Sequence, residues 1–187
     1  MQSFWLLFFY APSERNICRK MNKRIFVEKK GIFDVESPKI FNEIKSSFPD
    51  LQNVKVFNIY DIFGIDEIEL NSVINSTFVD PVTDIEHVQN PTNNINFATE
   101  FLPGQYDQRA DSAQQCIALL TGNEKSKVRS GKLYEFFGLA ENDLCEVKNL
   151  LINKVEAQEK DLSKLEIPAE ETPDKVVIYD GFSNFSE

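Results

Sequence analysis

The feature that most constrains this chain is an internal repeat. Displaced by 74 positions, residues 54–79 align with 128–153 without a gap and give eight identities in 26 pairs. Average composition gives about one or two. The identical pairs are Val54/Val128, Tyr60/Tyr134, Phe63/Phe137, Gly64/Gly138, Glu67/Glu141, Leu70/Leu144, Val73/Val147 and Asn75/Asn149. Upstream, Gly31, Phe33 and Asp34 meet Gly104, Tyr106 and Asp107 at a displacement of 73.

The local patterns follow the same order twice. Arg24–Lys29 reads as a strand, and Gly31 breaks it. Glu36–Phe48 reads as a helix with Ile40, Phe41, Ile44 and Phe48 inward; Pro38 suits its first turn. Val54–Ile65 reads as one long strand or a hairpin. Glu67–Phe78 is the second helix, with Leu70, Val73, Ile74 and Phe78 inward, and Val82–Val88 is a short edge strand. The second round runs from a strand at Ile95–Leu102 to a helix at Arg109–Leu120, with Ala110, Ala113, Ile117 and Leu120 on one face. Gly122 stands where a helix takes its left-handed terminal residue. A strand or hairpin at Val128–Leu139 and a helix at Glu141–Ile152 complete it, the latter with Leu144, Val147 and Leu151 inward.

These patterns predict an α+β fold. It is an internally duplicated β-α-β-α unit, repeats about 23–88 and 95–158, arranged as a pseudo-two-fold pair of small sheets covered by helices. Each copy is small for a core, so the two are expected to share one. Residues 159–174 are charged and carry prolines, which reads as a linker. Lys175–Phe182, "KVVIYDGF", reads as the opening strand of a further unit, cut off within 175–187.

Composition narrows the function. Thirty acidic residues against 20 basic give a net charge of −10, which argues against a nucleic-acid partner. The apolar run Phe4–Tyr10 is too short to span a bilayer and lacks the flanks of a signal peptide. Residues 1–20 are expected to be a non-native or disordered extension, with the natural start at Met21; a short interfacial anchor is the rival reading. Cys18, Cys116 and Cys145 form no CxxC pair, and His87 is the one histidine, so no zinc site is expected. Cys116 and Cys145 read as buried structural thiols, and His87 as a surface or capping residue. No phosphate-loop, dinucleotide, GxSxG or HExxH motif is present.

The densest polar stretch is "EFLPGQYDQRADSAQQC", Glu100–Cys116. Asp107 reads as a helix N-cap, matched by Asp34 in the first copy. Asp111 suits the first turn of the helix. Gln105, Gln108, Arg109, Gln114 and Gln115 have no such counterparts in "GIFDVESPK". They suit either a solvated helix face or recognition of a carboxylate, a phosphate or a partner's backbone.

"RIFVEKKGIFDVE", "LPGQYDQRADSAQQC" and "LINKVEAQE" together resemble the N-terminal domain of phosphoribosylformylglycinamidine synthase in its large single-chain form, over about residues 23–158. The resemblance implies an ATP- and glutamine-dependent ligase of purine biosynthesis, cytoplasmic, whose N-terminal domain is similar to a dimer of the separate small subunit. It implies a non-catalytic scaffold bridging the synthetase and glutaminase domains, with ATP and magnesium bound elsewhere and no cofactor in this fragment. The contact set is then Gln105, Asp107, Gln108, Arg109, Asp111, Gln114 and Gln115. Two other readings stand beside it: a stand-alone regulatory module holding a small ligand at the seam between copies, and a thiol enzyme using Cys116.

Overall fold

The computed structural model describes residues 19–167. The expectations for the N-terminal extension up to residue 18, for Cys18 and for the strand at Lys175–Phe182 lie outside that range. The elements run β1 (Met21–Lys29), α1 (Glu36–Ile44), β2 (Asn53–Ile65), α2 (Glu67–Val73), β3 (Asp84–His87), β4 (Ile95–Phe101), α3 (Gln108–Thr121), β5 (Lys127–Phe137), α4 (Leu144–Leu151) and β6 (Ala157–Lys160).

The strands form one six-stranded antiparallel sheet in the order β3-β1-β2-β5-β4-β6. This corrects the expected pair of small sheets. The two would-be sheets merge because β2 and β5 lie side by side and pair continuously from Asn53–Phe137 to Phe63–Lys127. That contact also keeps Val54–Ile65 a single long strand rather than a hairpin.

Successive strand residues point to opposite faces. Val54, Val56, Tyr60 and Ile62 of β2 all face the helices, and they divide between two clusters. One packs α2 and α3 (Leu70, Val73, Ala110, Ala113, Ile117) over Ile25, Val27, Tyr60, Ile62 and Val128. The other packs α1 and α4 (Ile40, Ile44, Val147) over Val54, Val56, Phe97, Tyr134 and Phe136. Each cluster therefore joins residues from the first segment of the chain to residues from the second. The expected shared core is present as two clusters, both mixed. On the far face Phe26, Phe57, Ile59, Ala98 and Leu133 form a third cluster, against which Leu162 packs.

Local chemistry sets the element ends. Asp66 accepts from the Glu69 N–H at 2.9 Å while Glu69 Oε2 accepts from the Asp66 N–H at 3.0 Å, a reciprocal cap that opens α2. Gly122 ends α3 with φ +74°, as its position predicts. Gly138 leaves β5 with φ +79°, and an added Cβ would stand 2.5 Å from the Asp50 carbonyl oxygen, so only glycine fits.

Several expectations shift. α1 ends at Ile44, before Phe48, although Phe48 stays buried through a turn. α2 passes into a wider π turn at Ile74–Phe78. Leu120 is exposed, not inward; Ala110, Ala113 and Ile117 complete the buried stripe of α3 without it. β6 lies where a domain edge was expected at 158, because Ala157–Lys160 pairs with Ala98–Phe101.

Ile117 is fully buried and Leu119 is 84% exposed. Ile117→Ala is expected to cost about 2–5 kcal/mol, and Leu119→Ala no more than about 0.5 kcal/mol. Urea denaturation checks both; equal losses would contradict this packing.

Candidate functional site

The polar stretch singled out in the sequence becomes the β4–α3 joint. Pro103-Gly104 turns the chain out of the sheet, with Gly104 at φ +83°. Asp107 then does more than cap. Its Oδ1 accepts from the Ala110 N–H at 2.9 Å and from Ser130 Oγ at 2.8 Å, and its Oδ2 accepts from the Ser130 N–H at 2.8 Å. One carboxylate thus fixes the start of α3 and pins it to β5. Asp34 makes the analogous bond, accepting from the Ser37 N–H at 3.0 Å.

The other candidates separate. Gln114 Oε1 accepts from the Val128 N–H at 3.0 Å, a fastening of α3 to β5. Asp111 accepts from Tyr106 Oη and from Gln115 Nε2, each at 2.9 Å, on the outer surface. Gln105 reaches the Val155 carbonyl at 3.4 Å, and Gln108 is exposed. Arg109 Nη1 donates to Asn58 Oδ1 at the centre of the sheet. Gln108 and Arg109 line a cleft of about 570 Å³ with Thr99, Tyr106, Ser130 and Lys132. Gln105, Asp107, Asp111 and Gln114 line an adjoining cleft of about 690 Å³ that also includes Ile167. Gln115 lines neither.

Three contributors were not singled out from the sequence. Asn58 and Lys132 oppose each other in the β2–β5 register, and Lys132 forms an ion pair with Glu36 at the start of α1. The signal was available: polar residues at 58 and 132 interrupt apolar alternation on the helix-facing side of two long strands. Tyr134 lies two residues beyond Lys132, and burial pushes its phenol up to about 12 against a hydrogen bond with Thr99. Burial likewise raises Tyr60, with Arg109 opposing.

The far face carries charge that the sequence reading left unplaced. Arg24 clamps Asp61 at 2.5 and 2.8 Å. Lys160 bridges Asp61 at 2.9 Å and Glu100 at 2.6 Å, with Arg129 3.8 Å from Glu100. Glu28 holds Lys55 at 2.8 Å and His87 at 2.9 Å. Burial pushes Glu28 up, but its bonds to Lys55 and His87 outweigh that and leave it lowered.

The thiols differ from expectation. Cys116 is half-buried and Cys145 exposed, because each sits at the flank of its helix's buried stripe rather than on it. His87 points to the far face beside Glu28 and edge-on to Phe57, with the sheet between it and α3. It cannot serve Cys116 as a base. Among the described residues, no group of three or more His, Cys, Asp or Glu is placed to hold a metal ion, and no helix is long and apolar enough to cross a membrane. No protein-family model matches the chain, and no curated protein matches it either.

Two measurements test this description. Asp107→Ala removes the cap and both Ser130 bonds, with an expected loss of about 1–3 kcal/mol; Gln115→Ala should leave the melting temperature unchanged. The raised Tyr134 stabilises the folded state fully below its ordinary value of 10. That stability drains as pH climbs from 10 toward about 12, since the unfolded phenol ionises first. The melting temperature should fall in that window, less steeply in Tyr134→Phe.

Proposed function

We propose that this chain is a non-catalytic scaffolding domain from the N-terminal region of a cytoplasmic phosphoribosylformylglycinamidine synthase, built by duplication of a β-α-β-α unit. The observation that carries the duplication is the register of the central strands. Asn58 pairs with Lys132, the residue 74 positions on. Val56 pairs with Tyr134 and Tyr60 with Ser130, so each pair maps onto another under the same displacement. This is the register of two like subunits meeting across a two-fold axis.

The outer strands agree with that reading. Val27 pairs with Asn58 as Thr99 pairs with Lys132. On the far face Glu28 with Lys55 and His87 has its counterpart in Glu100 with Arg129 and Lys160. A cross-strand carboxylate held by two basic side chains thus stands on each side of the proposed axis.

The family assignment rests on the sequence resemblance in "LPGQYDQRADSAQQC". The work of such a domain is contact. The Gln105–Gln115 cluster is the surface that faces the synthetase or glutaminase domain, with Gln105, Gln108 and Gln115 exposed on it. On this reading ATP and magnesium belong to other regions of the enzyme.

The test is reconstitution. Adding the purified chain to a synthase lacking this domain should restore glutamine-dependent activity, and the triple variant Gln105→Ala/Gln108→Ala/Gln115→Ala should bind at least about ten-fold more weakly. No binding and no restoration would refute the proposal.

A further inference from the structure

The cleft beside Arg109 differs from what the fold alone requires. On the reading of the two segments as equivalent copies, on which this inference rests, six of the lining positions can be compared with counterparts. Thr99, Tyr106 and Gln108 stand where the first copy has Val27, Phe33 and Val35. Ser130, Arg109 and Lys132 stand where it has Val56, Glu36 and Asn58. The first copy builds the same strand-to-helix joint with apolar side chains, one carboxylate and one amide. A guanidinium at position 109, where the first copy has a carboxylate, is therefore not needed to build the joint.

We propose that this cleft binds a small molecule through an oxyanion, a phosphate monoester or a carboxylate, held between Arg109 and Lys132. Among the described residues, the Arg109 side chain donates only to Asn58, and a guanidinium carries five N–H donors. Lys132 is paired with Glu36 but remains one-third exposed, and an ammonium has three donors. Gln108 and Arg109, both of which line the cleft, are the first two residues of the 14-residue α3, so their backbone N–H groups have no partner within the helix, whereas that of Ala110 is taken by Asp107. Glu100 also lines the cleft, but its carboxylate is taken up by Lys160 at 2.6 Å. Both cations, Arg109 and Lys132, line one cleft in a chain of net charge −10. Tyr106, 70% exposed, and Phe101 add aromatic surface at the same cleft, which suits a ligand with a flat apolar body. The cleft, about 570 Å³, is within the range of small-molecule sites.

The experiment is an NMR titration of the 187-residue chain with inorganic phosphate, phenyl phosphate and benzoate. Saturable shifts at the Gln108, Arg109 and Lys132 amides are expected, with phenyl phosphate tighter than inorganic phosphate; benzoate against phenyl phosphate ranks carboxylate against phosphate. Arg109→Gln should weaken binding at least about ten-fold, and Lys125→Gln should not. The double variant Arg109→Glu/Lys132→Asn copies the first copy's residues. If it keeps the fold and loses binding, both the equivalence and the site stand. If it unfolds, the equivalence fails, and Arg109→Gln reads the site alone. The site is refuted if none of the three anions saturates by about 10 mM, or if Arg109→Gln binds as well as the unaltered chain.

Discussion

The long antiparallel contact between β2 and β5 is the constraint on which the rest depends. It puts the two longest strands at the centre of the sheet, buried by helices on one face and by the Phe57–Leu133 cluster on the other. Because it runs through the middle of both strands, it also dictates where the helices go. α1 and α3 each leave their own outer strand, lie against their own segment's central strand, and join clusters that include strand residues of the other segment. Neither segment retains a complete apolar layer without its neighbour. Unfolding is therefore expected to be cooperative across all six strands, as for a small single domain.

The far face shows a different economy. Asp61 is 2% exposed, yet it receives both Arg24 and Lys160, and Lys160 is itself buried. Such an array does little for net stability compared with an apolar layer, but removing one member strands a charge and costs about 3–5 kcal/mol. Its geometric effect is clearer. Lys160 belongs to the edge strand β6, and Arg24 to β1, so the array ties elements that do not neighbour one another in the sheet. Arg24 also donates to the Leu162 and Lys164 carbonyls at 2.5 and 2.7 Å, drawing the chain after β6 across the face where Leu162 packs.

Much of this was legible in the residues. The apolar runs around Tyr60 and Tyr134 marked the two long strands, and Asp107 and Gly122 marked the ends of α3. What escaped has physical causes. Ala157–Lys160 lacks apolar alternation because an edge strand is held by backbone bonds to β4 and by the Lys160 ion pairs, which periodicity does not report. Leu120 lies about 60° from Ile117 around α3, at the rim of the stripe and outside its buried part. Cys116 adjoins the stripe in sequence yet lies about 100° from Ile117 around the helix. The seam of Asn58, Lys132, Glu36 and Arg109 is spread over four elements. Only the register brings it together, and the register is set by tertiary pairing.

The mixed cores carry one last consequence, for the connection between His87 and Ile95. Its final residues are anchored, since Glu135 Oε1 accepts from the Asn93 and Asn94 N–H groups at 3.0 and 3.2 Å. Otherwise it crosses no core. Its main contribution is to hold two interlocked pieces at high effective concentration, of order millimolar for a short tether. Cut there, the chain would part into fragments that each leave a core incomplete and that each carry a helix packed into the other's. Such a molecule behaves as a permanently tethered pair, in which the tether governs the kinetics of meeting while the interlocked helices govern whether the pieces stay together.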